Sequence, residues 1–143
     1  MIYKDRKPIS IEKKAKKTAS KSFLPKDIDT SILQTIKYEY PKTKIEVQLT
    51  TNEFTCICPF SGLPDFASLA ISYIPRYKLI EMKSLKYYLY AYRNVKIYNE
   101  HVVNKIIEDL KKALNPFEMT VIGEFTSRGG VDNRVTAHFK AKA

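Results

Sequence analysis

Phe54-Thr-Cys-Ile-Cys-Pro-Phe-Ser-Gly-Leu-Pro-Asp-Phe66 carries both cysteines of the chain, Cys56 and Cys58. Pro59, Gly62 and Pro64 come directly after, so the stretch ends one strand and forces a tight excursion of the backbone before the next. Asp65 stands where the excursion ends. One stiff loop therefore holds a thiol and a carboxylate, the pair that a nucleophile and its proton donor require. The same residues also read as a buried Cys pair beside a turn-capping Asp, because free Cys is among the most buried residue types.

Working outward, Lys44 to Thr51 alternates, with Ile45, Val47 and Leu49 on one face and Glu46, Gln48 and Thr50 on the other. That is the pattern of a half-buried strand. Ala67 to Ile74 alternates again through Leu69, Ile71 and Tyr73, and Pro75-Arg76 ends it. A helix is predicted over Ser84 to Tyr92, with Leu85, Tyr88, Leu89 and Tyr92 as its apolar stripe and Ser84 as its N-cap. A second is predicted from Glu100 to Leu114, with Val103, Ile106, Ile107, Leu110 and Leu114 inward and Asn115-Pro116 as its stop. Strands over Glu118 to Thr126 and Val131 to Lys142 then flank a hairpin turn, Ser127-Arg-Gly-Gly130.

The order is ββααββ: an α+β domain over 23–143, with a four-stranded antiparallel sheet and two helices on one face. Within 23–40 the pattern is weak, with Ile32, Leu33, Ile36 and Tyr40 placed to share one helical or extended face. Residues 1–22 are Lys-rich, lack hydrophobic periodicity and read as a mobile basic arm. The sheet leaves two edges unpaired and a second face polar, and closing several copies into a ring would remove the edges. A homo-oligomeric barrel is the expectation.

Composition narrows the function. Lys+Arg 25 against Asp+Glu 15 gives a formal charge of +10, which favours anionic partners. Cys56, Cys58, His101 and His138 make neither a disulfide framework nor a zinc set, so no metal is expected. No apolar run reaches membrane-spanning length and no signal-peptide core comes after Met1, so a cytoplasmic protein with reduced thiols and no membrane partner is expected. With only Gly62, Gly123, Gly129 and Gly130 present, neither a Rossmann nor a P-loop phosphate loop exists. Any nucleotide must be held by side chains, with Lys83, Lys86 and Arg128 as candidates.

Three motifs stand together: Glu-Phe-Thr-x-x-Cys58-Pro-x-Ser-Gly-x-Pro-Asp65-Phe-Ala, Glu81-x-Lys-Ser-Leu-Lys86-Tyr-Tyr, and Tyr-Arg-Asn-x-x-x-Tyr-Asn-Glu100. In this order they resemble the NADPH-dependent 7-cyano-7-deazaguanine reductases, nitrile reductases of queuosine biosynthesis built on the tunnelling fold. The resemblance runs from about Lys44 to the C-terminus and is closest to the short, unimodal branch. It implies Cys58 as nucleophile and Asp65 as proton donor. It also implies a substrate set of Ile80, Glu81, Met82, Ser84, Asn99 and Glu100, with Glu100 anchoring the deazapurine ring. NADPH phosphates would meet Lys83, Lys86 and Arg128.

The implied substrate is a small 7-deazapurine nitrile, bound at subunit interfaces with no nucleic acid required. Many members carry His before the anchoring Glu, where this chain has Asn99. Two alternatives stand beside this reading. One is an amidine-forming relative that acts on a nitrile-bearing tRNA without NADPH, as in archaeosine synthesis. The other is a basic RNA-binding module with structural cysteines and tyrosines Tyr87, Tyr88, Tyr90 and Tyr92.

Overall fold

The structure, a computed structural model, describes residues 24–143 together with Lys13. The basic arm over 1–22, Lys13 apart, lies outside the described residues. The elements run β1 (Thr35–Lys37), β2 (Val47–Ile57), β3 (Pro64–Ile74), β4 (Lys78–Ile80), α1 (Met82–Tyr90), α2 (Asn99–Leu114), β5 (Glu118–Arg128) and β6 (Val131–Lys140). Strands β2-β3-β5-β6 form an antiparallel sheet in that order, and both helices cover one of its faces. The core lies between them, where Phe54, Leu69, Ile71, Met119 and Val121 meet Leu85 and Tyr88 of α1 and Val103, Ile106 and Leu110 of α2. The opposite face is polar, with Gln48 and Thr50 exposed and Ser72 and Thr120 half-buried.

Four expectations need correction. The first two strands extend further into the Cys/Asp stretch than 44–51 and 67–74, which leaves only Cys58 to Leu63 as loop and puts Asp65 on β3. Pairing with β2 carries β3 back as far as Pro64, where Pro can open a strand. Helix α1 begins at Met82, and its cap is Glu81 rather than Ser84. The Glu81 carboxylate accepts from the Lys83 and Ser84 amides at 2.8 and 2.7 Å.

The 23–40 segment has no single apolar face: Ile32 is fully buried, whereas Ile36 and Tyr40 are exposed. Instead β1 pairs with β4 in a separate two-stranded sheet, which adds two strands among the described residues to the four of the main sheet.

The tyrosines divide by depth. Tyr88 and Tyr92 are fully buried, their hydroxyls 2.8 Å apart, and Tyr88 donates to Asp109 at 2.6 Å. Burial pushes both phenols up, so they stay neutral hydrogen-bonding groups within the core. Asp109 also holds Lys105 at 3.0 Å along α2, so its buried charge is compensated.

Helix α2 crosses the sheet closely at Gly123. A Cβ there would lie 2.9 Å from Val103 Cγ2 and 2.9 Å from the Phe125 ring. Overpacking of that kind costs roughly 1–3 kcal/mol. Gly123→Ala is therefore expected to lower the urea midpoint of unfolding with little change in slope. An unchanged midpoint would show that α2 shifts freely over the sheet.

Candidate active site

Two backbone hydrogen bonds close the loop after β2: Cys58 N–H to Leu63 O at 2.8 Å and Gly62 N–H to Cys58 O at 2.9 Å. Gly62 sits at φ 71°, a conformation that glycine adopts without Cβ strain. The turn brings the Ser61 amide within 3.5 Å of Cys58 Sγ. Hydrogen bonding from the Ser61 side chain, then from the Ser61 and Phe60 amides, holds the Cys58 thiol below its ordinary range, against smaller opposing effects of burial and Asp65. Cys56 is the reverse case. It is fully buried, and burial, reinforced by Asp65 and Cys58, pushes its thiol up to about 12. The end of β2 and the loop after it thus hold two thiols, two residues apart, shifted in opposite directions.

Asp65 faces Cys56 across the β2–β3 ladder and is only 7% exposed. Its carboxylate is ion-paired with the Arg128 guanidinium, which also donates to Pro64 O at 3.0 Å. Two bulges bring these groups onto one side of the sheet. Between Thr51 and Phe54, β2 advances three residues while β3 advances two, and β5 does the same against β6 between Phe125 and Arg128. Each extra residue reverses the facing of the strand residues beyond it. Cys56 and Arg128 are thereby turned to the helix-covered side, where Asp65 already lies.

The third wall comes from α2. Ile57 pairs with Pro64 on one side and bridges in parallel to Lys96 on the other, through Ile57 N–H to Val95 O at 2.9 Å and Ile97 N–H to Ile57 O at 3.1 Å. That clamp delivers the start of α2 beside Cys58. Cys58, Pro59, Asp65, Tyr98, Asn99, Glu100 and Arg128 line a cleft of about 200 Å3. The α2 cap residue, Tyr98, has no side-chain capping bond, so the helix opens towards the cleft with its positive end uncapped. The Asn99 Oδ1 is buried without a hydrogen-bond partner. Glu100 is exposed, and its Oε1 accepts from Asn133 Nδ2 at 3.3 Å.

The remaining site candidates stand elsewhere. Ser84 is fully buried, with its hydroxyl accepting from Gln34 N–H at 2.9 Å and donating to Glu81 O at 2.7 Å. Glu81 is occupied as the helix cap, and Ile80 is a core residue of β4. These three fix the start of α1. Met82 and Lys86 are exposed and line a mostly apolar groove of about 360 Å3 against Leu49 and Phe54 of β2. Lys86 Nζ lies 5.1 Å and Lys83 Nζ 6.0 Å from the centre of the Tyr87 ring. Because Glu81 fills the first amides of α1, a phosphate there meets lysine side chains rather than the helix end. This groove and the Cys58 cleft share no lining residue.

Arg128 belongs to the Cys58 cleft, apart from Lys83 and Lys86. The sequence motifs did not single out Ser61 or Asn133 as functional. Ser61 stood within the Cys-Pro-x-Ser-Gly motif, whereas nothing in the sequence pointed to Asn133. Among the described residues no group of three His, Cys, Asp or Glu side chains is placed to hold a metal ion, and no helix is long and apolar enough to cross a membrane.

The family described as "QueF-like protein" matches residues 64–143. A protein of Caldicellulosiruptor bescii named NADPH-dependent 7-cyano-7-deazaguanine reductase is 54% identical over 79% of this chain and 86% of its own length. One of the same name from Thermoanaerobacter pseudethanolicus is 51% identical over 79% of this chain and 85% of its own. A crystal structure of the archaeosine synthase QueF-Like in the apo form superposes with a TM-score of 0.63 at 26% identity, covering 68% of this chain and 96% of that one.

The contrast between the thiols is directly measurable. Iodoacetamide at neutral pH is expected to label Cys58 in the folded protein and to reach Cys56 only after denaturation, as read by peptide mass. Ser61→Ala removes a donor that favours the thiolate, so the alkylation profile of Cys58 should move to higher pH. Labelling of folded Cys56 at a comparable rate would overturn this division.

Proposed function

We propose that this chain, which belongs to the QueF-like family, is an NADPH-dependent oxidoreductase reducing the nitrile of 7-cyano-7-deazaguanine to an aminomethyl group. The observation that carries the reading is the juxtaposition of an activated Cys58 with a buried, ion-paired Asp65 in a cleft that also presents Glu100. Relatives above 50% identity bear the reductase name, which supports the reaction class.

A nitrile carbon is electrophilic but resists direct reduction, and the residues of the cleft supply its activation. The Asp65 carboxylate takes the proton of the Cys58 thiol and passes it to the nitrile nitrogen as the sulfur bonds to the carbon, and the product is a covalent thioimide. Arg128 orients the Asp65 carboxyl through its ion pair and through Pro64 O. Glu100 accepts paired N–H bonds from the deazapurine edge, a charge-assisted arrangement that fixes the ring while the nitrile lies over Cys58. Asn99 supplies an unpartnered amide oxygen at the same helix end, suited to accept a further substrate N–H. After the adduct carbon is reduced, Cys58 leaves as a thiolate and the resulting imine stays held by Glu100.

When bound, NADPH supplies hydride, and because nitrile to amine is a four-electron reduction it does so twice per turnover. Lys83 and Lys86 fit its phosphates, being two cations three residues apart on α1, and Met82 beside them offers an exposed apolar side chain. That surface does not border the Cys58 cleft of the same chain. A complete site therefore combines the Cys58 cleft of one copy with the α1 surface of another. Exposed Phe60, Leu63, Phe66 and Met82, and the open edges of β2 and β6, support such an interface.

The amidine-forming alternative uses the same thiol and carboxyl without a hydride donor. Retention of Lys83 and Lys86 and the higher identity to the reductases favour reduction. The RNA-module alternative loses its main support, because Tyr88 and Tyr92 are core residues and unavailable for base stacking.

Absorbance at the NADPH band after mixing protein, NADPH and 7-cyano-7-deazaguanine tests the proposal. Nitrile-dependent oxidation is expected from the wild type and from Cys56→Ala, and none from Cys58→Ala. Absence of oxidation together with ammonia incorporation into a nitrile-bearing tRNA would assign the chain to the amidine-forming branch.

A further inference from the structure

A second cleft, of about 510 Å3, lies at the end of the sheet remote from Cys58. Ile74, which borders it, stands nine residue steps along β3 from Asp65, and at roughly 3.3 Å per step the two sites are about 30 Å apart. Lys42, Lys44, Arg76, Lys140 and Lys142 line the cleft, and Glu118 is its one acidic side chain among the described residues. None of the five cations has a carboxylate partner within 4 Å among the described residues, while Glu118 faces His138 at 3.4 Å.

The walls are pinned independently of any ligand. The turn carrying Lys42 and Lys44 is held by Tyr38 Oη donating to Thr43 O at 2.7 Å and by Thr43 N–H to Tyr40 O at 2.9 Å. The opposite wall is held by Phe117 N–H to Ile74 O at 3.0 Å and Ala141 N–H to Phe117 O at 2.8 Å. Between them the Arg76 guanidinium stacks on Phe117 at 4.2 Å, and its Nε is buried without a hydrogen-bond partner. A buried guanidinium N–H left unpaired is costly, and an acceptor atom on a base seated against the stack is the kind of partner it lacks. Phe117 stays 44% exposed, which leaves aromatic surface for a planar group next to the charges.

We propose that this cleft is a second binding site, distinct from the Cys58 site, for a nucleoside polyphosphate: phosphates on Lys42, Lys44, Lys140 and Lys142, and the base against the Arg76–Phe117 stack. The same cleft of a second copy is disfavoured as occupant, because a self-paired contact would bring like charges together. The size and the pinned walls favour a small nucleotide over an RNA strand.

Titration calorimetry of the full chain with ATP at physiological salt tests this, run on the wild type and on Lys83→Ala/Lys86→Ala, which removes the α1 phosphate surface. One ATP per chain is expected, weakened at least tenfold in Lys42→Gln/Lys140→Gln and in Arg76→Gln. Because Arg76→Gln also removes a packing contact, the lysine pair decides the outcome if thermal melting shows that variant unfolded. Unchanged ATP affinity in the lysine variant, no ATP binding to the wild type, or binding of a short RNA without ATP would each overturn the proposal.

Discussion

Ile57 is held from both sides, and the site depends on that. Its pairing with Pro64 closes the β2–β3 hairpin, and its parallel bridge to Lys96 ties in the segment that leads to α2. The next residue is Cys58. The Cys58 thiol, the hairpin carboxylate and the helix-borne Glu100 are thus referenced to a single backbone unit, fixed by hydrogen bonds of 2.9 and 3.1 Å. A site built on a clamped strand end keeps its geometry better than one carried by free loops. The same bridge covers one end of the β2 edge that would otherwise be unpaired.

Electrostatics then divides the labour within that frame. Asp65 and Arg128 form a charge pair at the buried edge of the cleft, and Cys56 lies beneath it as a neutral thiol. Cys58, two residues on, escapes the burial and gains the donors of the 60–61 turn. Identical side chains therefore behave differently because the strand ends between them. The bulges at Thr51/Phe54 and Phe125/Arg128 are part of this arrangement, since without them Cys56 and Arg128 would face away from Asp65.

Much of the fold was legible in the sequence because its strands alternate and α2 has a clean apolar stripe. The α+β layout, the sheet of four antiparallel strands and the two helices on one face are consequences of those periods. The features that were not legible have physical causes. A bulge shows in the sequence only as a break in alternation, so the strands appeared to stop at Thr51 and to resume at Ala67. The β1–β4 pair is three residues long on each side, too short to show a period. Ser84 resembled a cap by residue type, but Glu81 reaches both free amides with its longer carboxylate. In the site, residue types in the loop marked Cys58 and Asp65, and the family resemblance marked Glu100. The Arg128–Asp65 pair, the Ile57 clamp and Asn133 beside Glu100 depend on contacts distant in sequence, and no local pattern encodes them.

The central claim is that catalysis needs the Cys58 cleft of one copy and the α1 lysines of another. Subunit complementation tests it most directly. Cys58→Ala protein and Lys83→Ala/Lys86→Ala protein, each deficient at low NADPH, are unfolded together, refolded as a mixture and assayed. With random assembly, about a quarter of the interfaces in an equal mixture would pair an intact cleft with an intact lysine surface, as expected for a heterologous ring contact. The account predicts recovery of activity towards that fraction of wild type. If the co-refolded mixture is no more active than the two variants refolded apart, the site is complete within one chain and the account is contradicted.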